Sequence, residues 1–265
     1  MGKNWLSTTI WQRWTGRDPD QHGAGFYQLF VTQDKQFAIG RAMSEVSDVE
    51  KAVRSLNANL FRPGVTQEEI RAGYDELSET YDEVMLRNTQ YHALDITVEE
   101  VLRRVTPEKR AQTRVLDVAA GTGRVGRELY REGFRLLDAV EPSQGMINKL
   151  RESGVYTNDF MDFIGSGNSS MPKDTYDLLV ISGGMGEGHV PVNALDDLVR
   201  AAKEGGLVVI VMRLEFLESV AAYRDKLEPY MDQLEEEGKW RKTERRVVAN
   251  YFFDKEGIVY TYRVI

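Results

Sequence analysis

The segment at residues 114–126 constrains this chain more than any other part of it. Val115 and Leu116 form a short apolar run that meets an acid at Asp117, and Gly121, Gly123 and Gly126 follow. Apolar run, glycine turn and the stretch after it read as a strand, a tight turn and a helix start. In that arrangement backbone amides can lie against a nucleotide-type ligand. The glycines also spell G-x-G-x-x-G, so a dinucleotide and S-adenosylmethionine are both candidates at this point.

From Arg114 onward strand and helix patterns alternate. Strands are expected at 115–118, 136–141, 155–161, 176–182 and 207–212, with helical stretches between them. Repeated βα units of this length call for a parallel, doubly wound sheet. The rhythm then breaks: a helix-prone stretch at 216–237 contains Pro229, and two β-rich runs, 246–253 and 257–265, flank a turn beginning at Asp254. That is an antiparallel hairpin at the edge of the sheet. Ahead of the alternating part, Thr66 and Glu69 make a capping box, and Ile70, Tyr74, Leu77, Tyr81 and Val84 follow at helical spacing. Thr97 and Glu100 read as a second capping box that opens another helix. Residues 1–62 keep no such rhythm and read as a short, partly irregular extension, with glycines at 23 and 25 and one helix at 44–56. The expected domain is therefore 63–265.

At 265 residues, one sizeable α/β domain plus an extension is the expectation. No apolar run approaches the roughly 20 residues that cross a bilayer, so no membrane partner is expected. The chain has no cysteine, which removes thiolate nucleophiles and cysteine-based zinc sites. Three histidines without ligand spacing, His22, His92 and His189, give no reason to propose a metal. A formal charge of −8 argues against a DNA partner. A cytoplasmic location fits this make-up, and a nuclear one is compatible. Residues 1–17 carry Lys3, Arg13 and Arg17 and no acid, which leaves a mitochondrial transit peptide as an alternative.

Two acids frame the glycine turn. Glu141 lies 20 residues after Gly121, at the end of the second strand, where a carboxylate accepts hydrogen bonds from a ribose diol in either cofactor class. Asp117 discriminates. Next to a pyrophosphate a carboxylate is repulsive, whereas next to a sulfonium and an ammonium it is favourable. The residues thus favour S-adenosylmethionine over a nicotinamide dinucleotide.

Val115-Leu-Asp-Val-Ala-Ala-Gly-Thr-Gly123, Ala139-Val-Glu-Pro-Ser143 and Tyr176-Asp-Leu-Leu-Val180 resemble the first, second and fourth motifs of class I S-adenosylmethionine-dependent methyltransferases. The resemblance spans about residues 70–265. Segments beginning at Tyr74, Gly188 and Leu234 resemble more narrowly the subfamily of the methyltransferase-like protein encoded in the Williams–Beuren syndrome region, which brings no accepted substrate class. The fold so implied is α/β, a doubly wound, seven-stranded, mostly parallel Rossmann-like sheet with a C-terminal antiparallel hairpin. Ala119 departs from the glycine common at its place, implying that this residue need not adopt a positive φ.

The resemblance implies a cofactor site along these motifs. Asp117, Ala119, Gly121, Thr122 and Gly123 belong to its first motif, and Glu141, Pro142 and Met146 to its second and the helix that follows. Asp162 and Phe163 resemble the motif whose acid meets the adenine amino group, with Asp159 as rival. Tyr74 and Tyr81 lie on the helix that covers the cofactor in such proteins, and Ser182 and Gly183 border the methyl group. Glu187 and His189 are the candidate general bases.

The expected reaction is methyl transfer to an unidentified acceptor, by O- or N-methylation, with S-adenosylhomocysteine as product. A small molecule is the expected acceptor because no appended recognition domain is visible; a protein acceptor stays open. No Asp-Pro-Pro-Tyr-type sequence is present, which argues against N6-adenine or N4-cytosine methylation, and the lack of cysteine excludes C5 chemistry by thiolate attack. The alternatives are a cofactor-binding regulatory or scaffold protein without turnover and, more distantly, an NAD(P)-binding oxidoreductase.

Overall fold

The computed structural model describes residues 9–10, 29–30, 59–87, 91–165, 167 and 169–265. The expected helix at 44–56 and the glycines at 23 and 25 lie outside these residues. The chain divides into units Met1–Lys51 and Ala52–Ile265. In the first, strands β1 (Thr9–Ile10) and β2 (Leu29–Phe30) pair antiparallel. Leu60 and Phe61, placed in the extension by the sequence reading, pack within the second unit: Leu60 is buried and Phe61 lies on its core.

That second unit opens with α1 (Gln67–Arg87), α2 (Ala93–Arg104) and α3 (Pro107–Arg110). The alternating part follows: β3 (Arg114–Val118), α4 (Arg124–Arg131), β4 (Leu136–Val140), α5 (Gln144–Glu152), β5 (Asn158–Phe160), β6 (Tyr176–Ser182), α6 (Ala194–Ala201) and β7 (Ala202–Arg213). Two further helices, α7 (Phe216–Ser219) and α8 (Leu227–Glu236), precede the hairpin β8 (Trp240–Phe252) and β9 (Lys255–Val264). Seven strands form one sheet in the order β5-β4-β3-β6-β7-β9-β8. The first five run parallel, and β9 joins β7 and β8 antiparallel. The expected α/β architecture, with its terminal hairpin, is the one present.

The central strands are apolar on both faces because helices cover both: Val115, Leu116 and Val118 of β3 and Leu178 to Ile181 of β6 are fully buried. Strand order reverses about β3, with β4 on one side and β6 on the other. The carboxyl ends at such a switch point leave a crevice in which ligands bind. Among the described residues no helix is long and apolar enough to cross a membrane.

Local chemistry explains the departures from expectation. The box at Thr66 and Glu69 forms: Glu69 accepts from the Thr66 amide at 2.9 Å, and Thr66 Oγ1 accepts from the Glu69 amide at 3.2 Å. Thr97 and Glu100 make no box. Helix α2 starts four residues earlier, at Ala93, and Thr97 Oγ1 donates to the Ala93 carbonyl (2.7 Å) inside the helix. The single helix expected at 216–237 is two. Between them Tyr223 turns inward, its hydroxyl accepting from the Gly186 amide at 2.9 Å and donating to the Val190 carbonyl. Pro229 sits in the first turn of α8, where its missing N–H breaks no helical bond. Strand β8 begins at Trp240, ahead of the expected 246, because the indole is stacked on Tyr262 at 4.0 Å and donates to the Met231 carbonyl at 2.9 Å.

Candidate functional site

At the end of β3 the chain turns at once. Ala119 has φ 54°, so the expectation that an alanine here avoids the left-handed region is wrong. The turn needs that conformation to bring the Ala120 amide to the Val140 carbonyl (3.3 Å), at a cost of roughly 1–2 kcal/mol for an L-residue. Gly121 and Gly123 follow with φ 56° and 79°. Asp117, only 2% exposed, points beneath this loop, and its Oδ2 accepts from the Tyr156 hydroxyl at 2.6 Å. The same hydroxyl accepts from the Gly126 amide at 3.0 Å. A Cβ on Gly126 would stand 2.2 Å from the Tyr156 ring, and one on Gly123 2.8 Å from it. The second and third glycines thus make room for a tyrosine; Gly123 does not line the cleft. Burial pushes the Asp117 carboxyl up to about 7, against the pull of the Tyr156 and Gly126 hydrogen bonds.

Glu141 follows directly after β4 and ties the two loops together. Its Oε2 accepts from the Gly121 amide and its Oε1 from the Ser143 amide, both at 2.9 Å. It is 5% exposed; burial pushes it up to about 7, the two amides pull it down, and the charge of Asp117 pushes it up. Ser143 caps α5, accepting from the Met146 amide at 3.1 Å, and the buried Met146 side chain faces the cleft.

Helix α1 forms the opposite wall, and its sequence repeats Tyr-Asp with a seven-residue spacing. Tyr74 and Tyr81 line the cleft. The aspartates fasten the helix: Asp75 accepts from Ser143 Oγ (2.7 Å) and the Gly145 amide (2.9 Å), and Asp82 accepts from Thr122 Oγ1 (2.5 Å) and Arg127 (2.7 Å). The sequence reading noted the tyrosines and missed the aspartates, although the repeated dipeptide two turns apart was the signal.

Asp117, Ala119, Gly121, Thr122 and Glu141 therefore meet Tyr74, Tyr81 and Met146 in one cleft, which Ser182, Gly183 and His189 close from the β6 side. A recess beside it is lined by Glu141, Pro142, Asp162, Phe163 and His189. Asp162 Oδ2 accepts from the Ser170 amide and hydroxyl at 2.8 and 2.9 Å. Its rival Asp159 lies outside the recess, paired with Arg151 at 2.6 Å. Ser182 Oγ lies 2.8 Å from Thr97 Oγ1 and 3.2 Å from the Ala93 carbonyl, joining β6 to α2. Tyr91, Leu94, Arg124 and Gly184 also line the cleft and were missed; isolated residues on separate elements carry no spacing to read.

The two candidate bases fare differently. Glu187 does not line the cleft, and its Oε1 accepts from the Gly64 amide at 3.2 Å. His189 does line it. Its Nδ1 lies 2.7 Å from the Glu187 carbonyl and so carries the proton, which leaves Nε2 to accept from the Tyr74 hydroxyl at 3.1 Å. Phe61 stacks on the ring at 4.3 Å. Burial pushes His189 down to about 4, so the imidazole is neutral at neutral pH. Its remaining lone pair already accepts the Tyr74 hydrogen bond.

The acceptor groups present fit a nucleoside bearing a positively charged amino-acid tail. A buried carboxylate lies on each side of the glycine loop, and nothing stands within 4 Å of where a Gly121 Cβ would be. Among the described residues no group of histidine, aspartate or glutamate side chains is placed to hold a metal.

Comparison with known proteins agrees with this chemistry. A model of the methyltransferase domain matches residues 85–248. Human methyltransferase-like protein 27 is 33% identical over 167 residues, which is 63% of this chain and 66% of that protein. A demethylmenaquinone methyltransferase of Clavibacter sepedonicus is 31% identical over 54% of this chain and 57% of its own length. The chain thus spans less than two thirds of the length of either relative. Among solved structures, the (4+2)-cyclase SpnF superimposes with a TM-score of 0.59 at 16% identity, covering 76% of this chain and 98% of that one. A SAM-dependent methyltransferase of Leishmania major gives 0.56 at 15% identity, covering 81% and 90%. At such identities the likeness is one of fold.

Proposed function

The chain belongs to the methyltransferase-domain family, and from that premise we propose that it moves a methyl group from S-adenosylmethionine to a small acceptor by O- or N-methylation. The observation that carries this reading is the pair of buried carboxylates, Asp117 and Glu141, at the carboxyl ends of adjacent strands around the glycine loop. A pyrophosphate on that loop would meet Asp117; an ammonium there would be stabilised by it. In this reading Asp117, steadied by Tyr156, holds the amino-acid end of the cofactor, and Glu141 accepts from the ribose hydroxyls. Asp162 and Phe163 border the adenine, and Tyr74 and Tyr81 cover the cofactor from α1.

The bound cofactor supplies an electrophilic methyl carbon on a sulfonium sulfur. What the chain supplies is alignment and exclusion of water, which lower the barrier without a proton-transfer group. His189 serves by fixing the Tyr74 phenol. Fold likeness alone does not decide the reaction, since a cyclase shares it.

Isothermal titration with S-adenosylhomocysteine and with NAD tests the reading. Binding of the former is expected, and tight NAD binding with no response to S-adenosylhomocysteine overturns it. Glu141→Ala should weaken S-adenosylhomocysteine by about 1.5–3 kcal/mol, the worth of charge-assisted hydrogen bonds; an unchanged affinity shows the ribose site to be elsewhere. Transfer of label from methyl-labelled cofactor into a metabolite extract separates an enzyme from a binding protein without turnover.

A further inference from the structure

The cleft carries two acids and one base. Asp117 and Glu141 line it, and among the described residues that do so Arg124 is the one cation, since His189 is neutral. Arg124 is the first residue of α4, directly after Gly123 with its left-handed φ of 79°. A cation in the first turn opposes the helix dipole, and α4 has no acid in that turn to offset it. Helix stability therefore gives no reason for an arginine here. Arg127, one turn on, is committed: it pairs with Asp82 at 2.7 Å and donates to the Thr122 carbonyl at 3.0 Å. Arg124 is half-buried, and it has neither an ion pair nor a hydrogen bond with the side chains of the described residues. It faces two phenols of the same cleft. Burial raises the pKa of Tyr81 and of Tyr91, and the charge of Arg124 pulls both back toward the ordinary value. Tyr81 keeps its proton and can donate it. The opposite charges of the cleft are not joined to each other: Asp117 is bonded to Tyr156, and no cation offsets its burial.

We propose that Arg124 grips the α-carboxylate of the cofactor, with the Tyr81 hydroxyl as second donor, and so selects a methyl donor whose amino-acid tail is intact. The inference rests on the methyl-transfer reading and deepens it, because that reading leaves the carboxylate of the tail without a partner. At neutral pH the tail is a zwitterion. Its ammonium is drawn to Asp117, but a carboxylate that enters with it meets two buried acids. A guanidinium offsets that repulsion, and its planar fork matches both carboxylate oxygens at once. A purely anionic group such as a pyrophosphate would suit Arg124 and be repelled by Asp117 and Glu141. A purely cationic tail would suit the acids and leave Arg124 unpaired in a half-buried place. A tail that carries both charges satisfies all three residues.

The test uses the full chain and two probes. One is S-adenosylhomocysteine; the other is S-adenosylthiopropylamine, which keeps the adenosine, the sulfur and the amine and lacks the carboxylate alone. In titration calorimetry at neutral pH the native chain should bind S-adenosylhomocysteine at least about tenfold more tightly. Arg124→Gln should weaken S-adenosylhomocysteine about 10- to 100-fold while moving the affinity for the thiopropylamine less than about twofold. The second probe thereby reports that the variant is folded. Arg124→Lys, which keeps the charge and loses the fork, should recover part of the loss. Asp117→Asn should weaken both probes, since both carry the ammonium. Equal affinity of the native chain for the two probes overturns the assignment, and that comparison depends on no variant folding. So does an unchanged S-adenosylhomocysteine affinity in Arg124→Gln, or an equal loss of both probes in a variant whose circular dichroism is native. Failure of the native chain to bind either probe overturns the methyl-transfer reading itself.

Discussion

Tyr156 does two things with one hydroxyl. It donates to Asp117 at 2.6 Å and accepts from the Gly126 amide at 3.0 Å, so the acid and the glycine loop are held through a single buried oxygen. In Tyr156→Phe a buried N–H and a buried carboxyl each lose a partner, which should destabilise the protein by about 1–3 kcal/mol in urea denaturation. Asp117 would then resist ionisation further, so S-adenosylhomocysteine affinity at pH 7 should fall several-fold in titration calorimetry. A loss of stability without a loss of affinity would show that Asp117 does not meet the cofactor. The sequence displays Gly126 as the third glycine of a nucleotide loop and hides its purpose. The side chain that needs the space is 30 residues away, beyond any local pattern. Asp117 and Glu141 were legible because each ends an apolar strand, where a lone acid is conspicuous. Glu187 was misjudged because proximity in sequence to a strand end does not fix which way a loop side chain points.

Helices α1 and α2 carry the same Thr-x-x-Glu spacing with opposite meanings. At Thr66 the box is exposed and caps a helix; at Glu100 the carboxylate is fully buried. Glu100 accepts from Arg103 (2.9 Å) and Arg104 (2.8 Å) of its own helix, from Arg246 (2.9 Å) of β8 and from the Thr261 hydroxyl (3.2 Å) of β9. Arg104 and Arg246 also pair with Glu244. This network pins α2 to the terminal hairpin, and α2 in turn supplies Thr97 to Ser182 at the cleft. Glu100→Ala should cost about 1–3 kcal/mol, the loss of its charge-assisted hydrogen bonds with the Thr261 hydroxyl left unpaired, and it should loosen the hairpin first. Hydrogen exchange along β8 and β9 checks this, and protection equal to that of the native chain would show the network to be ornamental. No reading of α2 alone reveals that role, because the partners arrive from 146 and 161 residues later.

At the scale of the whole molecule, the alternation of apolar strands and helices made the sheet legible, since strands buried on both faces are nearly continuous apolar runs. What the alternation cannot show is the electrostatic cost of the crevice it creates. Asp117 and Glu141 sit near 7 when folded, against ordinary values of 3.8 and 4.5. Between those limits the folded protein binds protons that the unfolded chain has released. Their contribution to stability is therefore complete below the ordinary carboxylate range and is lost as the pH rises to about 7. The cofactor reverses the preference: an ammonium beside Asp117 and hydroxyls donating to Glu141 favour the ionised forms. Binding should then release protons, and S-adenosylhomocysteine affinity should rise roughly tenfold from pH 6 to pH 8 for each carboxyl that ionises. Calorimetry in buffers of different ionisation enthalpy measures the released protons directly. Glu141→Gln removes one titrating group without removing its bulk. It should flatten both the fall in unliganded thermal stability and the rise in affinity over the same interval. Affinity independent of pH in the native chain would mean that neither acid meets a positively charged or hydrogen-bonding ligand, and the site would have to be sought outside the crevice.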